Sequence, residues 1–177
     1  TVLSSAADLF KSLKAAGVRV HMDDRDNHTP GFKYNHWELR GVPVRIAIGP
    51  KDVAKNVVEI ARRDNLEKMR DVPRDGIVET INNLLVTVQQ AIFDRALAFR
   101  TENSVKVKTY DELKKTLNER NCFIETHFDG TSEDEGKIKD ECKATIRCMP
   151  FNMEPVEGEC MYTGRKTTRR VIFARSY

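Results

Sequence analysis

Ile77, Ile81, Leu84, Leu85, Val88 and Ile92 recur at three- and four-residue spacing. This lines one face of a helix with apolar side chains and predicts a long helix continuing to Arg100. The other elements arrange themselves around it. Ahead of it, Ala7, Leu9, Phe10, Leu13 and Ala16 share a helical face over residues 4–16, and Gly17 stands where a helix commonly stops. Val18, Val20 and Met22 then alternate with Arg19 and His21, the period of a strand, before a polar loop from Asp23 to Asp26. Thr29 followed by Pro30 predicts a helix start, because the hydroxyl caps free amides and proline suits the first helical position. That helix is expected to run to about Arg40 and close at Gly41. A β-rich run over residues 42–48 ends at Gly49-Pro50, expected as a turn, and residues 57–61 read as another strand.

From Val105 the pattern changes to a helix over residues 110–118, a short run over 122–126, an acidic loop, and strands near Thr145 and over 171–174. A chain of 177 residues suits one ordinary domain or two small ones. The change places a boundary near residue 104, giving domains 1–104 and 105–177. Lysine plus arginine exceeds aspartate plus glutamate by only three, so any nucleic-acid surface must come from local arrangement of charge. No apolar run approaches the roughly 20 residues needed to cross a bilayer, and no signal peptide is legible at the start. A soluble, cytoplasmic protein without a membrane partner is expected. Cys122, Cys142, Cys148 and Cys160 form neither a disulfide framework nor a CxxC pair, so reduced thiols are the expectation.

The residues from Val20 through Asp23-Asp24-Arg25-Asp26, Thr29-Pro30-Gly31-Phe32-Lys33, Trp37-Glu38-Leu39-Arg40-Gly41-Val42-Pro43 and on to Gly49-Pro50-Lys51-Asp52 are informative as a run. They closely resemble the start of the anticodon-binding domain of prolyl-tRNA synthetases of the archaeal and eukaryotic type. Arg147-Cys148-Met149-Pro150-Phe151 and the ending Phe173-Ala174-Arg175-Ser176-Tyr177 resemble the C-terminal extension of the same class II family. The resemblance implies an α/β anticodon-binding domain, a mixed sheet with flanking helices, followed by a small α+β domain. It implies proline–tRNA ligase activity for an intact enzyme that uses ATP and Mg. The catalytic core would precede Thr1, and this chain itself would need no cofactor. The implied partners are tRNA(Pro), that core and a second subunit in a homodimer. The family's anticodon domain opens with a strand before its first helix, and this sequence is expected to start at or after that strand.

Reading an anticodon means bonding to splayed base edges. Proline anticodons carry guanine at the second and third positions. A carboxylate accepts from guanine N1 and N2 hydrogens, while arginine or lysine donates to O6 and N7. Carried over by resemblance, the base-reading residues fall on Glu38, Arg45, Lys51, Asp52 and Lys68. Read alone, each is a solvated surface charge. The resemblance also directs the Tyr177 carboxylate towards the core. It places the family's four zinc-ligand positions on Asp129, Asp134, Cys160 and Thr163, where a single thiolate remains and no metal is expected.

Two other readings stay open on residues alone. Asp23, Asp24 and Asp26 with His28 form an acidic cluster suited to a divalent metal and a phosphohydrolase, or to caps and Asx turns. A stand-alone RNA-binding module is the other. His21, His28, His36 and His127 are scattered, and Gly49-Pro50-Lys51-Asp52 lacks the glycine spacing of a phosphate loop.

Overall fold

Capping chemistry sets where the helices begin. In the computed structural model, which describes residues 1–175, the Thr1 hydroxyl accepts from the Ser4 amide at the start of helix α1, Val2–Ala15. The Thr29 hydroxyl accepts from the Phe32 amide, and Pro30 opens α2, Pro30–Leu39. Gly41 ends that helix region at φ +81°, a left-handed conformation in which a side chain would be strained, and donates to the Glu38 carbonyl. Tyr177 lies outside the described residues.

Three strands follow: β1, Val44–Ala47; β2, Val57–Arg62; and β3, Lys68–Pro73. They pair antiparallel in that order. Period-two alternation turns Val44 and Ile46, Val58 and Ile60, and Met69 to one face. There they meet Leu9 and Leu13 of α1 and the start of the long helix α4, Ile77–Glu102. Val58 and Ile60 are fully buried.

Two expectations need correction here. Residues 18–22 are not a strand, although Val18 and Val20 pack on this core as the alternation requires. Alternation decides which way side chains point, but a strand also needs a neighbour to share its ladder, and none is found among the described residues. Gly49-Pro50 is not a turn: Gly49 caps α3, Pro50–Lys55, and its amide donates to the Asp52 carboxylate at 2.7 Å. Strand β3 and helix α3 carried too weak a pattern to be foreseen. On α4, Ile77, Ile81 and Val88 are buried as the spacing predicts, but Ile92 is exposed.

The chain divides into two compact units, residues 1–95 and 96–177, and the division runs through α4. In the second unit β4, Ser104–Lys106, and β5, Phe123–His127, are parallel and joined across α5, Tyr110–Glu119. The segment expected as an acidic loop is α6, Ser132–Cys142. Its apolar face is only Ile138 and Cys142, too sparse for periodicity to reveal. A reciprocal Thr131–Asp134 cap and three acidic residues in the first turn support its start. β6, Ala144–Cys148, and β9, Arg170–Arg175, complete a sheet of order β4-β5-β9-β6, beside a short pair β7, Gly158–Glu159, and β8, Lys166–Thr167. Leu113, Leu117, Ile124, Phe128, Ile138, Val171 and Phe173 make its core. No described helix is long and apolar enough to cross a membrane.

Ile60 is the test of the first unit's core. Ile60→Ala should destabilise it by about 2–5 kcal/mol through lost burial and a residual cavity. Trp37, the only tryptophan, lies in the same unit and reports its unfolding in urea. An unchanged fluorescence midpoint would refute this role for Ile60.

Candidate nucleic-acid interface

The face of the first sheet opposite the core carries charge. Its register pairs Arg45 with Ala61 and Ala61 with Lys68, so these three side chains form one row across β1, β2 and β3. Alanine in the middle leaves room between the two cations. Helix α2 lies against this row: the Arg45 guanidinium carbon is 3.5 Å from the Tyr34 ring centroid, a cation–π contact. Glu38 is one helical turn beyond Tyr34 and so lies on the same side of α2. The structure therefore gathers Glu38, Arg45 and Lys68 around Tyr34 and Ala61.

Their hydrogen bonding is incomplete. Nε and Nη1 of Arg45 are buried without a partner, an arrangement that costs roughly 1–3 kcal/mol for each unsatisfied group and more for a charged one. The carboxylate of Glu38 and the ammonium of Lys68 have no hydrogen bond or ion pair among the described residues. Lys51 and Asp52 stand apart from this group, in the first turn of α3 beyond the end of β1. Lys51 is exposed, while one Asp52 carboxylate oxygen is committed to the Gly49 amide.

Beside Glu38 a cleft of about 550 Å³ is lined by Asn35, Glu38, Leu39, Arg63 and Leu66. Arg63 donates from Nε to the Glu38 carbonyl at 2.9 Å, and its amide donates to the Pro43 carbonyl at 2.9 Å. Sequence reasoning missed this arginine. Its one signal was its place two residues beyond Ala61, where strand alternation carries it to the Arg45 side.

The aspartate cluster does not form a metal centre. Asp23 accepts from Arg25 Nε and Nη2 at 2.8 and 2.7 Å and from Trp37 Nε1 at 2.8 Å. The Arg25 hydrogen bonds, and after them the Trp37 bond, hold its carboxyl well below the usual carboxylate range. No described group of three His, Cys, Asp or Glu side chains could hold a metal ion, so the phosphohydrolase reading loses its site. Three of the four histidines that are scattered in sequence meet the aromatic side chains of α2. His28 stacks on Phe32, Phe32 on His36, and His21 and His36 meet Trp37. Burial, then Arg40 and Arg25, lower the pKa of His36 below its ordinary value. His127 lies elsewhere and bonds to the Val156 carbonyl.

In the second unit the Thr163 hydroxyl donates to Asp129 at 2.8 Å, and Arg165 pairs with the same carboxylate at 3.0 Å. The Cys160 sulfur accepts from the Asp129 and Thr163 amides at 3.4 Å. Asp134 is turned to the Thr131 cap of α6. This donor set does not fit zinc: it offers one thiol, a neutral hydroxyl, and two carboxylates already engaged by other partners. The loops are joined instead by a hydrogen-bonded clasp.

A family model described as "Anticodon binding domain" matches residues 1–84, and one described as "Prolyl-tRNA synthetase, C-terminal" matches residues 110–177. The chain is 48% identical over 172 residues to the proline–tRNA ligase of Christiangramia forsetii, covering 97% of this chain and 35% of that protein. It is 51% identical over 179 residues to that of Chloroflexus aurantiacus, covering 100% and 37%. With the ligase of Roseiflexus sp. it shares 51% over 162 residues, 90% and 33%. The chain thus spans about a third of the length of the curated relatives it matches.

Cys160, then Thr163 and Arg165, hold the Asp129 carboxyl below its ordinary value of 3.8. A carboxyl depressed in the folded state stabilises it above that value, and the contribution is lost as pH falls through the folded-state pKa. Asp129→Asn should therefore lower the melting temperature at pH 7, with a penalty that shrinks in acid. Chelators should leave melting unchanged, and metal analysis of protein purified without added zinc should find far less than one zinc per chain. Stoichiometric zinc, or a pH-independent Asn penalty, would show that the clasp has been misread.

Proposed function

Since the chain consists of the anticodon-binding domain and the C-terminal domain of the prolyl-tRNA synthetase family, we propose that it binds the anticodon loop of tRNA(Pro) and reads its guanines. The observation that supports this best is the convergence of Glu38, Arg45 and Lys68 on one face of the sheet, with two buried Arg45 donors unpaired. The Tyr34 ring holds the Arg45 guanidinium in place, with hydrogen-bonding capacity that no described group uses. Glu38 supplies a free acceptor for the N1 and N2 hydrogens of one guanine, and Arg45 and Lys68 supply donors for O6 and N7 of the other. Lys51 acts as a point charge towards phosphate, and Asp52 has one carboxylate oxygen left after capping α3.

The longer ligase would activate proline with ATP and Mg, transfer it to the tRNA, and work in the cytoplasm as a homodimer through its catalytic core. The present chain supplies recognition to that reaction. By itself it should not support proline-dependent ATP–pyrophosphate exchange.

The direct test is equilibrium binding to anticodon stem-loop RNA. The unmutated chain should prefer guanine over adenine at the second and third anticodon positions. Glu38→Ala and Arg45→Ala should each lose about 1–3 kcal/mol of that discrimination. Lys51→Ala should instead weaken binding across sequences and flatten its salt dependence. Equal affinity of the unmutated chain for guanine and adenine loops at both positions would sink the assignment.

A further inference from the structure

We propose that Arg63 is a further specificity-determining residue, donating to the O6/N7 edge of the same guanine whose N1/N2 edge is accepted by Glu38. The proposal rests on the anticodon reading above and assigns it one more side chain.

The neighbouring arginine shows by contrast what Arg63 has to spare. Arg62 is saturated, with Nε and Nη2 on the Asp64 carboxylate at 3.1 and 2.7 Å and Nη1 3.6 Å from Glu67; its side chain is 12% exposed. Arg63 is exposed and pairs with no carboxylate among the described residues. Its single side-chain bond, from Nε to the Glu38 carbonyl, anchors the guanidinium at the end of α2 and leaves both Nη groups free. A planar fork fixed at one nitrogen is pre-oriented for an acceptor pair.

The cleft selects the kind of acceptor. Phosphate is disfavoured by Glu38 and by the two leucines in the same lining. Leu39 is 88% exposed and Leu66 73% exposed, and Leu66 sits at the tip of the β2–β3 hairpin at φ +61°, unusual for a bulky residue. Apolar side chains held out to solvent in the lining of a cleft suit the faces of a flat ring. A carboxylate and a guanidinium in the same cleft require a ring with donors on one edge and acceptors on another. Among the four bases guanine has that combination, with N1 and N2 hydrogens on one edge and O6 with N7 on the other.

The experiment compares the unmutated chain, Arg63→Ala and Arg63→Lys on anticodon stem-loop RNAs with guanine, 7-deazaguanine or inosine at the second or third position. 7-Deazaguanine lacks the N7 acceptor and inosine lacks the N2 amino group. At one of the two positions, 7-deazaguanine should weaken the unmutated chain about tenfold and Arg63→Ala less than about twofold, with Arg63→Lys between them. Inosine there should weaken unmutated chain and Arg63→Ala alike, because that edge belongs to Glu38. Each ratio is taken within one protein, so a general loss of stability cancels. Three results would overturn the role: equal 7-deazaguanine sensitivity with and without Arg63, no sensitivity of the unmutated chain at either position, or a uniform loss on all RNAs in Arg63→Ala, which would mean a phosphate or structural contact. Failure of the unmutated chain to tell guanine from adenine is a separate outcome, which removes the anticodon reading and this inference with it.

Discussion

Strand β2 carries both the core and the candidate interface of the first unit, because one backbone alternation serves two purposes. Val58 and Ile60 turn inward and are fully buried against α1 and α4. Ala61 faces the other way, between Arg45 and Lys68. Since the side-chain period of a strand is two, a slip of one residue would exchange these faces, burying charge and exposing the core. Register is therefore held by the hydrophobic effect, and the charged row inherits its precision from it. A recognition surface built on a packed strand is positioned more tightly than one built on a loop.

Helix α2 adds a second layer under a different constraint. It buries no residue fully, so burial alone does not hold it in place. Polar and aromatic contacts do much of that work: Tyr34 against Arg45, Trp37 Nε1 on Asp23, and the Glu38 carbonyl accepting from Arg63 and Gly41. Glu38 thereby has two separate duties, since its backbone closes the helix while its carboxylate stays free. Asp52 shows the opposite distribution, with its side chain spent partly on capping α3. The same residue type can be structural or available, and its hydrogen bonds tell which.

Much of this was legible in the sequence wherever a local rule determined the outcome. Thr29-Pro30 announces α2, and the Ile77–Ile81–Val88 spacing announces α4. The rest depended on partners far away in sequence. Residues 18–22 have the alternation of a strand but no described neighbour, and α6 has the caps of a helix but only two buried residues. The candidate anticodon residues came from resemblance to a family; Arg45 and Lys68 share a face only through the Arg45–Ala61–Lys68 register, which no single segment specifies, and Glu38 comes from α2. Arg63 escaped because it sits in a charged run, Arg62-Arg63-Asp64, whose members cannot be ranked until their partners are known.

In the second unit a set of hydrogen bonds and an ion pair joins two loops. The clasp of Asp129, Thr163, Arg165 and Cys160 joins the loop after β5 to the loop after β7. Three of the four positions that the family resemblance assigns to zinc meet there. Zinc would bind such loops through deprotonated ligands and could contribute folding free energy outright. Hydrogen bonds and a partly exposed ion pair contribute far less each, so more of the stability of this unit must come from apolar burial. That burial is present: Phe128 and Phe173 meet edge to face with ring centroids 5.4 Å apart, and both are almost completely buried. Phe128 immediately precedes Asp129, so the core reaches the base of the clasp and can hold the loops in place without a metal cross-link.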